Sequence, residues 1–195
     1  MHLIRVATAV MACGFALQAA EAPPVLRPAP EFTIRYADGN TLPLSAFKGK
    51  VVALTFVFTT CIHCQHASQE FAKLYNEYGP RGFQPVGVAF NDMANLFVDD
   101  FMKQNGVTYR VGYSPLDPVL DFLAISKIQR YVVPQIVWID RKGMIRAQTA
   151  PLEDDPKVRT EPYWREMIET LLKEPAETTK KHPATHASTA EKSRQ

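Results

Sequence analysis

A continuous apolar run in the first third of the chain predicts a buried central strand. Residues 51–58 read VVALTFVF, which is almost entirely β-branched, aliphatic or aromatic. Strands covered on both faces show this pattern, whereas a half-exposed strand alternates apolar and polar side chains. A second run, FQPVGVAF at residues 83–90, predicts another buried strand.

Helical spacing separates these two strands. Between Ile62 and Tyr78, apolar residues recur at intervals of three and four, which predicts an amphipathic helix that ends at Gly79-Pro80. Its predicted inward face consists of Ala67, Phe71, Leu74, Tyr75 and Tyr78.

Two further helices are predicted after the second strand. The first covers Asn95 to Gln104 and stops at Asn105-Gly106. We expect Phe97, Phe101 and Met102 to face inward from it. A third, shorter helix is expected within SPLDPVLDFLAI, residues 114–125.

The last apolar segments predict a hairpin and a closing helix. QIVWID (135–140) and RKGMIRAQT (141–149) predict two strands joined by a tight turn through Lys142-Gly143. EPYWREMIETLLK (161–173) predicts a helix with one apolar face, formed by Trp164, Ile168, Leu171 and Leu172. Strands that alternate with helices, followed by a hairpin and a helix, predict a single α/β domain whose sheet is covered on both faces.

The start of the chain has the composition of a secretory signal. Residues 1–22 combine a basic start, an apolar run and the small-x-small pattern Ala20-Glu21-Ala22, which indicates a cleaved signal peptide. The run is shorter than the roughly 20 residues that span a bilayer. Retention as a membrane anchor and lipidation at Cys13 are the alternatives.

The remaining boundaries follow from composition. Residues 23–30 form a proline-rich, extended segment that leads into a domain at 31–174. Residues 175–195 carry almost no large apolar side chain, so we expect a disordered tail. With 22 basic and 20 acidic residues, the net charge is only +2, and no nucleic-acid partner is expected.

Removal of the leader would leave Cys61 and Cys64 as a single C-x-x-C pair. The pair follows the first predicted strand and opens the first predicted helix, where unsatisfied amides and the helix dipole favour a thiolate. We therefore expect Cys61 to be a nucleophile. Cys64 lies one helical turn further in and suits a buried resolving thiol.

Other uses of the pair fit the residues less well. Structural zinc needs about four ligands, and His63 and His66 are poorly placed to complete a set. Covalent haem attachment needs a histidine directly after the second cysteine, where Gln65 stands. An inert structural disulfide is the remaining alternative, although so short a loop would constrain the unfolded chain only a little.

The cysteine pair and its surroundings resemble the thioredoxin-like superfamily, particularly the exported TlpA/ResA-type thiol:disulfide oxidoreductases related to the AhpC/TSA redoxins. LSAFKGKVVALTFVFTTCIHCQ (44–65) is similar to that group's strand and motif, and VVPQIVWIDRKGMI (132–145) resembles its cis-proline segment. The resemblance covers roughly Pro30 to Lys173. It implies a thioredoxin-like fold with a central mixed sheet, and a cis Pro134 against the cysteine pair. A trans proline that opens a strand is the alternative.

The chain also departs from this pattern. Thr55 replaces the buried acid that thioredoxin carries on the strand before its active site, so deprotonation of Cys64 needs another helper. By resemblance to ResA-like proteins that helper would be Asp92. An exposed aspartate that caps the next helix is the alternative.

The residues beside the motif point towards oxidation. Thr60 and the dipeptide Ile62-His63 replace the usual tryptophan and proline. His63 before the second cysteine and Val133 before the proline resemble the DsbA family of periplasmic oxidants. A histidine there would stabilise the Cys61 thiolate and make the disulfide more oxidising. A solvent-facing histidine without influence is the alternative.

Together these features predict an exported thiol:disulfide oxidoreductase, in the bacterial periplasm or on the extracytoplasmic face of the membrane. It would act on protein thiols and disulfides with a redox partner protein, and it needs no cofactor or metal. Membrane contact would be limited to a retained N-terminal anchor. Val133 and Pro134, with Ile62, Val132 and Phe58 beside them, would bind substrate or else belong to the core. The motif suggests an oxidant, whereas the scaffold resembles that of reductases. The direction of electron flow therefore stays open.

Two rival functions share the scaffold. A peroxiredoxin-like peroxidase would need a proline and a threonine or serine where Leu54 and Phe58 stand. A copper metallochaperone would use thiolates for Cu(I), but with a wider cysteine spacing and a distant histidine.

Overall fold

A computed structural model of the chain describes residues 26–152 and 156–175. The whole predicted leader, including Cys13, and nearly all of the predicted C-terminal tail lie outside the described residues. Within the described ranges, no helix is both long and apolar enough to cross a membrane.

The described residues form eight strands, four α-helices and three short 3₁₀ turns. The strands are β1 (Arg27–Pro28), β2 (Thr33–Arg35), β3 (Thr41–Pro43), β4 (Val51–Val57), β5 (Phe83–Ala89), β6 (Val111–Tyr113), β7 (Gln135–Ile139) and β8 (Met144–Gln148). The helices are α1 (Ile62–Tyr78), α2 (Ala94–Gln104), α3 (Leu116–Leu123) and α4 (Glu161–Lys173). The 3₁₀ turns are Leu44–Phe47, Gly79–Arg81 and Pro156–Arg159.

All eight strands join one mixed sheet in the order β1-β8-β7-β4-β5-β6-β2-β3. Strands β4, β5 and β6 run parallel, and β7 runs antiparallel to β4. The side chains of β4 alternate between two apolar clusters, with Ala53 and Val57 on the face of α1, α2 and α4, and Leu54 and Phe56 on the face of α3. Helices therefore cover both faces, which confirms the predicted single-domain α/β architecture.

The long periodic segments have the predicted positions. Helices α1 and α4 have the predicted bounds, and α2 and α3 lie where they were expected. One inward residue of α2 was predicted wrongly, because Phe97 is 43% exposed. The buried stripe of α2 is Ala94, Val98 and Phe101, whose spacing of four and three leaves Phe97 on the flank.

The short edge strands gave no usable periodic signal. Strands β1, β2, β3 and β6 hold only two or three residues each, too few to establish alternation. Strand β6 pairs only with Gly87–Ala89 of β5. The first half of β5 therefore has no neighbouring strand on that side among the described residues.

Close packing of β2 against β6 depends on Gly112. A Cβ at this position would collide with the carbonyl oxygen of Arg35 and with the side chain of Ile34. The backbones approach this closely only because glycine has no side chain.

We predict that Gly112→Ala destabilises the protein by roughly 1–3 kcal/mol, as overpacking does, since the rigid backbone of β2 must move. Urea unfolding measures the change, with the exposed Thr108→Ala as the control for a nearby surface change. Equal stability of the two variants would contradict the tight β2–β6 contact.

Candidate active site

The two cysteines lie where the central strand passes into the first helix. Strand β4 ends at Val57, a turn closes with the Cys61 amide donating to the Phe58 carbonyl at 3.1 Å, and Cys61 is the N-cap residue of α1. Its sulfur therefore lies at the helix end where backbone N–H groups are unpaired and the dipole is positive. Both cysteines are free thiols, Cys61 partly exposed and Cys64 fully buried.

The buried position of Cys64 keeps its proton in place. Burial is the main cause that raises the pKa of this thiol well above its ordinary value, and a hydrogen bond and charge repulsion from Cys61 raise it further. The Phe58 amide, which donates to the Cys64 sulfur at 3.4 Å, acts in the opposite direction. The pair thus combines an accessible sulfur with a buried neutral thiol.

The predicted proline segment lies against this pair. The Val133-Pro134 peptide bond is cis, as the resemblance implied. The Cys61 sulfur is 4.0 Å from the Val133 carbonyl oxygen, at the limit of a weak S–H···O contact. Four predicted site residues, Cys61, Cys64, Val133 and Pro134, therefore lie together.

A groove of about 300 Å³ runs beside these residues. Its lining is formed by His63, His66, Ala67, Val132, Val133, Pro134, Arg159 and Trp164. His63 is exposed at its rim, next to both Cys61 in sequence and the cis-proline in space. The predicted position of His63 at the site agrees with the structure, and its effect on Cys61 stays a prediction.

Asp92, the predicted proton-transfer residue, does not belong to the lining of this groove. It is exposed in the loop after β5, and Met93 is the N-cap residue of α2 without a side-chain cap, so Asp92 does not cap that helix. The charged groups that act on Cys64 include Cys61 and Arg159. The role of Asp92 in tuning Cys64 stays a prediction.

Its neighbour Asn91 faces the motif instead. The Asn91 side-chain oxygen accepts hydrogen bonds from the Thr59 amide at 2.9 Å and from the Thr59 hydroxyl at 3.3 Å. Asn91 thereby fixes the turn that presents Cys61. The sequence alone could not show which of the two adjacent polar residues, Asn91 or Asp92, contacts the turn before Cys61.

A buried glutamine holds the cis-proline segment, and the sequence analysis missed it. The Gln135 amide group donates to the carbonyls of Val132 at 2.7 Å and Ala150 at 3.2 Å, and its oxygen accepts from the Thr149 hydroxyl at 3.0 Å. The sequence did contain one signal for this role, because Gln135 is a polar residue at the start of the otherwise apolar strand β7.

Arg159 supports the same segment from the 3₁₀ turn that precedes α4. Its guanidinium donates to the Pro134 carbonyl oxygen at 2.6 Å. Arg159 stands 25 residues away in the chain. No local pattern indicated this contact.

Exposed apolar side chains gather at the edge of the sheet that holds Cys61. They follow the carboxyl ends of β4, β5, β6 and β8, or precede β7, which runs in the opposite direction. These residues are Ile62, Met93, Leu96, Phe97, Leu116, Val132 and Leu152. Phe58 is half-buried there and packs on Phe90, with ring centroids 4.7 Å apart.

Comparison with known proteins assigns the family. A sequence profile described as Redoxin matches residues 24–162. This chain belongs to the Redoxin family.

Individual relatives match different lengths of this redoxin. The thiol-disulfide oxidoreductase ResA of Bacillus subtilis is 31% identical over 100 residues, which cover 51% of this chain and 55% of that protein. The chain thus spans about half the length of this relative. A glutathione peroxidase-like peroxiredoxin of Schizosaccharomyces pombe is 29% identical over 150 residues, 69% of this chain and 92% of that protein.

Solved structures share the fold. A thiol:disulfide interchange protein of the thioredoxin family from Chlorobium tepidum superposes with a TM-score of 0.62 at 23% identity, covering 78% of this chain and 99% of that one. This likeness confirms the thioredoxin-like fold of the redoxin.

We predict that Gln135→Leu destabilises the protein by roughly 1–3 kcal/mol, because it leaves the buried carbonyls of Val132 and Ala150 without their donor. Urea unfolding and hydrogen exchange of the Val132 amide measure the effect. The control is Gln84→Leu, since Gln84 donates to the carbonyl of its sequence neighbour Pro85. A similar loss in both variants would contradict a special role for Gln135.

Burial of Cys64 predicts a pH-dependent stability of the reduced protein. Folding raises the pKa of Cys64 above its ordinary 9.0, so as pH rises the unfolded chain releases this proton first. The stability that comes from burying the neutral thiol is complete below that value. Above it, stability falls by up to about 1.4 kcal/mol per pH unit.

Urea unfolding of the reduced protein at a series of pH values around the ordinary thiol pKa measures this slope. The Cys64→Ala variant lacks the titrating thiol and should show a smaller decline. Tyr109, whose pKa burial raises to about 12, contributes in the same direction only at higher pH. Identical slopes for the two proteins would show that Cys64 is not the group concerned.

Proposed function

We propose that this redoxin is an exported thiol:disulfide oxidoreductase that uses Cys61 as nucleophile and Cys64 as resolving thiol. The observation that carries the proposal is the pairing of a partly exposed thiol at a helix N-terminus with a fully buried thiol one turn away. The first can meet a substrate disulfide, and the second can reach only the first.

The proposed reaction proceeds in two exchanges. The Cys61 thiolate attacks one sulfur of a substrate disulfide, so that a Cys61–substrate disulfide forms and the other substrate sulfur leaves as a thiolate. Cys64 then loses its proton and attacks the Cys61 sulfur, which forms the Cys61–Cys64 disulfide and releases the second substrate thiol. Two electrons pass from the protein to the substrate, and the reverse sequence donates a disulfide.

The surface around the thiols supports a protein substrate. An extended segment laid beside the cis-proline would meet the Val133 and Pro134 backbone, and the exposed apolar side chains at this edge would cover apolar parts of the partner. The names of ResA and of the Chlorobium protein indicate the same chemistry in those proteins. The leader-like sequence of residues 1–22 supports the proposed export to the periplasm.

The S. pombe relative favours a second candidate, a thiol peroxidase that would use the same Cys61. Phe58 stands where such an enzyme needs a hydroxyl, and its ring packs on Phe90. Hydrogen peroxide should therefore oxidise Cys61 far more slowly than a disulfide does. Faster turnover with peroxide than with a protein disulfide would favour the peroxidase.

We predict a reversible two-electron couple for the cysteine pair, measured in leader-free protein by equilibration with glutathione or dithiothreitol and alkylation of free thiols. Cys61→Ser should abolish it, and Cys64→Ser should accumulate a mixed disulfide, because the resolving thiol is gone. The matched control is Ser126→Ala, an exposed hydroxyl outside the groove lining, which should titrate like the wild type.

The measured reduction potential shows in which direction electrons flow between the protein and its substrate. A potential near about −120 mV makes the protein a disulfide donor, in which His63 stabilises the reduced form, whereas about −270 mV or lower makes it a reductase. A pair without reversible titration would contradict the proposed function and favour metal binding by the two thiols.

A further inference from the structure

The resolving step poses a problem that the two cysteines do not solve themselves. Cys64 is 0% exposed, and its sulfur must become negatively charged before it can attack Cys61. A charge in an apolar interior is costly without polar groups around it. The central strand offers no acid here, because the residue beneath this part of α1 is Thr55.

Two buried hydroxyls lie on the side of the sheet that holds Cys64. Ser68 follows Cys64 by four residues, one helical turn, and both belong to the buried face of α1. Thr55 lies between Ala53 and Val57 on β4, and these two neighbours pack in the cluster that contains Cys64. Ser68 and Thr55 are each 2% exposed.

A third hydroxyl enters this region from the segment before β6. Tyr109 is 2% exposed and packs in the same apolar cluster as Cys64. Its hydroxyl has the hydroxyls of Ser68 and Thr55 as neighbours, yet among the described residues it makes no hydrogen bond of good geometry. A buried hydroxyl of this kind calls for an explanation, since such groups are rare.

We propose that Tyr109, with Ser68 and Thr55, forms a buried hydroxyl cluster that stabilises the negative charge on Cys64 while it resolves the mixed disulfide. In that step Cys64 gives up its proton, the Cys64–Cys61 bond forms, the Cys61–substrate bond breaks, and the substrate sulfur leaves with the electron pair and takes up the proton. Tyr109 is a positioning residue in this scheme. The inference rests on the proposed function and names a group that serves it.

The raised pKa of Tyr109 fits a hydrogen-bond donor and not a general base. Burial is the main cause that raises its pKa to about 12, so the phenol keeps its proton at neutral pH. Tyr109 and Cys64 belong to the same buried cluster, and the charge of Cys64 is the last of the causes that raise the pKa of Tyr109. The Thr55 hydroxyl donates to the Val86 carbonyl oxygen at 3.3 Å. The hydroxyl hydrogen of Tyr109 can instead rotate towards a developing charge, and hydroxyl dipoles act strongly where water is excluded.

The other charged groups near Cys64 do not replace this cluster. Cys61 and Arg159 act on Cys64, the first against and the second in favour of its negative charge. Cys61 is bonded to substrate in the mixed disulfide and has no charge then. Arg159 is partly exposed at the groove, where solvent weakens its effect.

The test compares two buried tyrosines that lie on opposite faces of the sheet. Tyr36, like Tyr109, is buried with a hydroxyl that has no hydrogen-bond partner among the described residues. It packs in the apolar cluster on the other face of the sheet, under the guanidinium of Arg110. Tyr36→Phe therefore matches Tyr109→Phe in chemistry and burial, but not in position relative to Cys64.

Stopped-flow reaction of the reduced protein with 5,5′-dithiobis(2-nitrobenzoate) separates the two thiols. The first release of coloured thiolate reports attack by Cys61, and the second reports resolution by Cys64. We expect Tyr109→Phe to slow the second phase about tenfold and to shift its pH profile upwards, since a hydroxyl dipole that favours the negative charge on Cys64 is lost. The first phase should stay unchanged, and Tyr36→Phe should alter neither phase.

Thermal unfolding provides the structural check. Both tyrosine variants should be at least as stable as the wild type, because among the described residues neither hydroxyl makes a hydrogen bond of good geometry. Ser68→Ala should slow the second phase in the same direction. A second phase in Tyr109→Phe equal to that in Tyr36→Phe would overturn the inference. Absence of both phases from the wild type would instead overturn the proposed function, and the inference with it.

Discussion

Burial of β4 on both faces and along both edges is the constraint on which the site depends. The strand pairs with β5 on one side and β7 on the other, and all seven of its residues are buried. Its end therefore has little freedom, and the turn that follows delivers Cys61 to the start of α1. Because β7 is the antiparallel neighbour, the segment before β7 must lie beside that turn. The cis-proline and the thiols meet for this reason.

Two cysteines of the same motif acquire opposite properties from this arrangement. Cys61 faces the groove at a helix end, whereas Cys64 lies beneath the first turn of α1 among apolar side chains. Burial protects the second thiol from solvent and opposes its ionisation, so the interior must supply polar groups in compensation. The buried polar groups on this side of the sheet include the neutral hydroxyls of Thr55 and Ser68.

Sequence reasoning succeeded where a pattern extends over many residues. The helices α1 and α4, the apolar strands β4 and β5, and the hairpin of β7 and β8 all have a period or a turn that local chemistry imposes. The cysteine pair and Pro134 were found through motifs. The strands of two or three residues were missed, because their pairing depends on distant partners. Asn91, Gln135, Arg159 and Tyr109 reach the site through contacts that no spacing encodes.

Within the part of the chain that the structure describes, the short strand β6 leaves part of β5 without a neighbouring strand, and Pro85 lies in that part. The Gly87 amide donates towards the β6 side, to the Arg110 carbonyl, so the nitrogen of Pro85, two residues earlier, faces the same open side. Proline has no N–H to offer there. An incoming strand from another molecule would find the ladder interrupted, so the uncovered edge is a poor template for aggregation between copies of the chain.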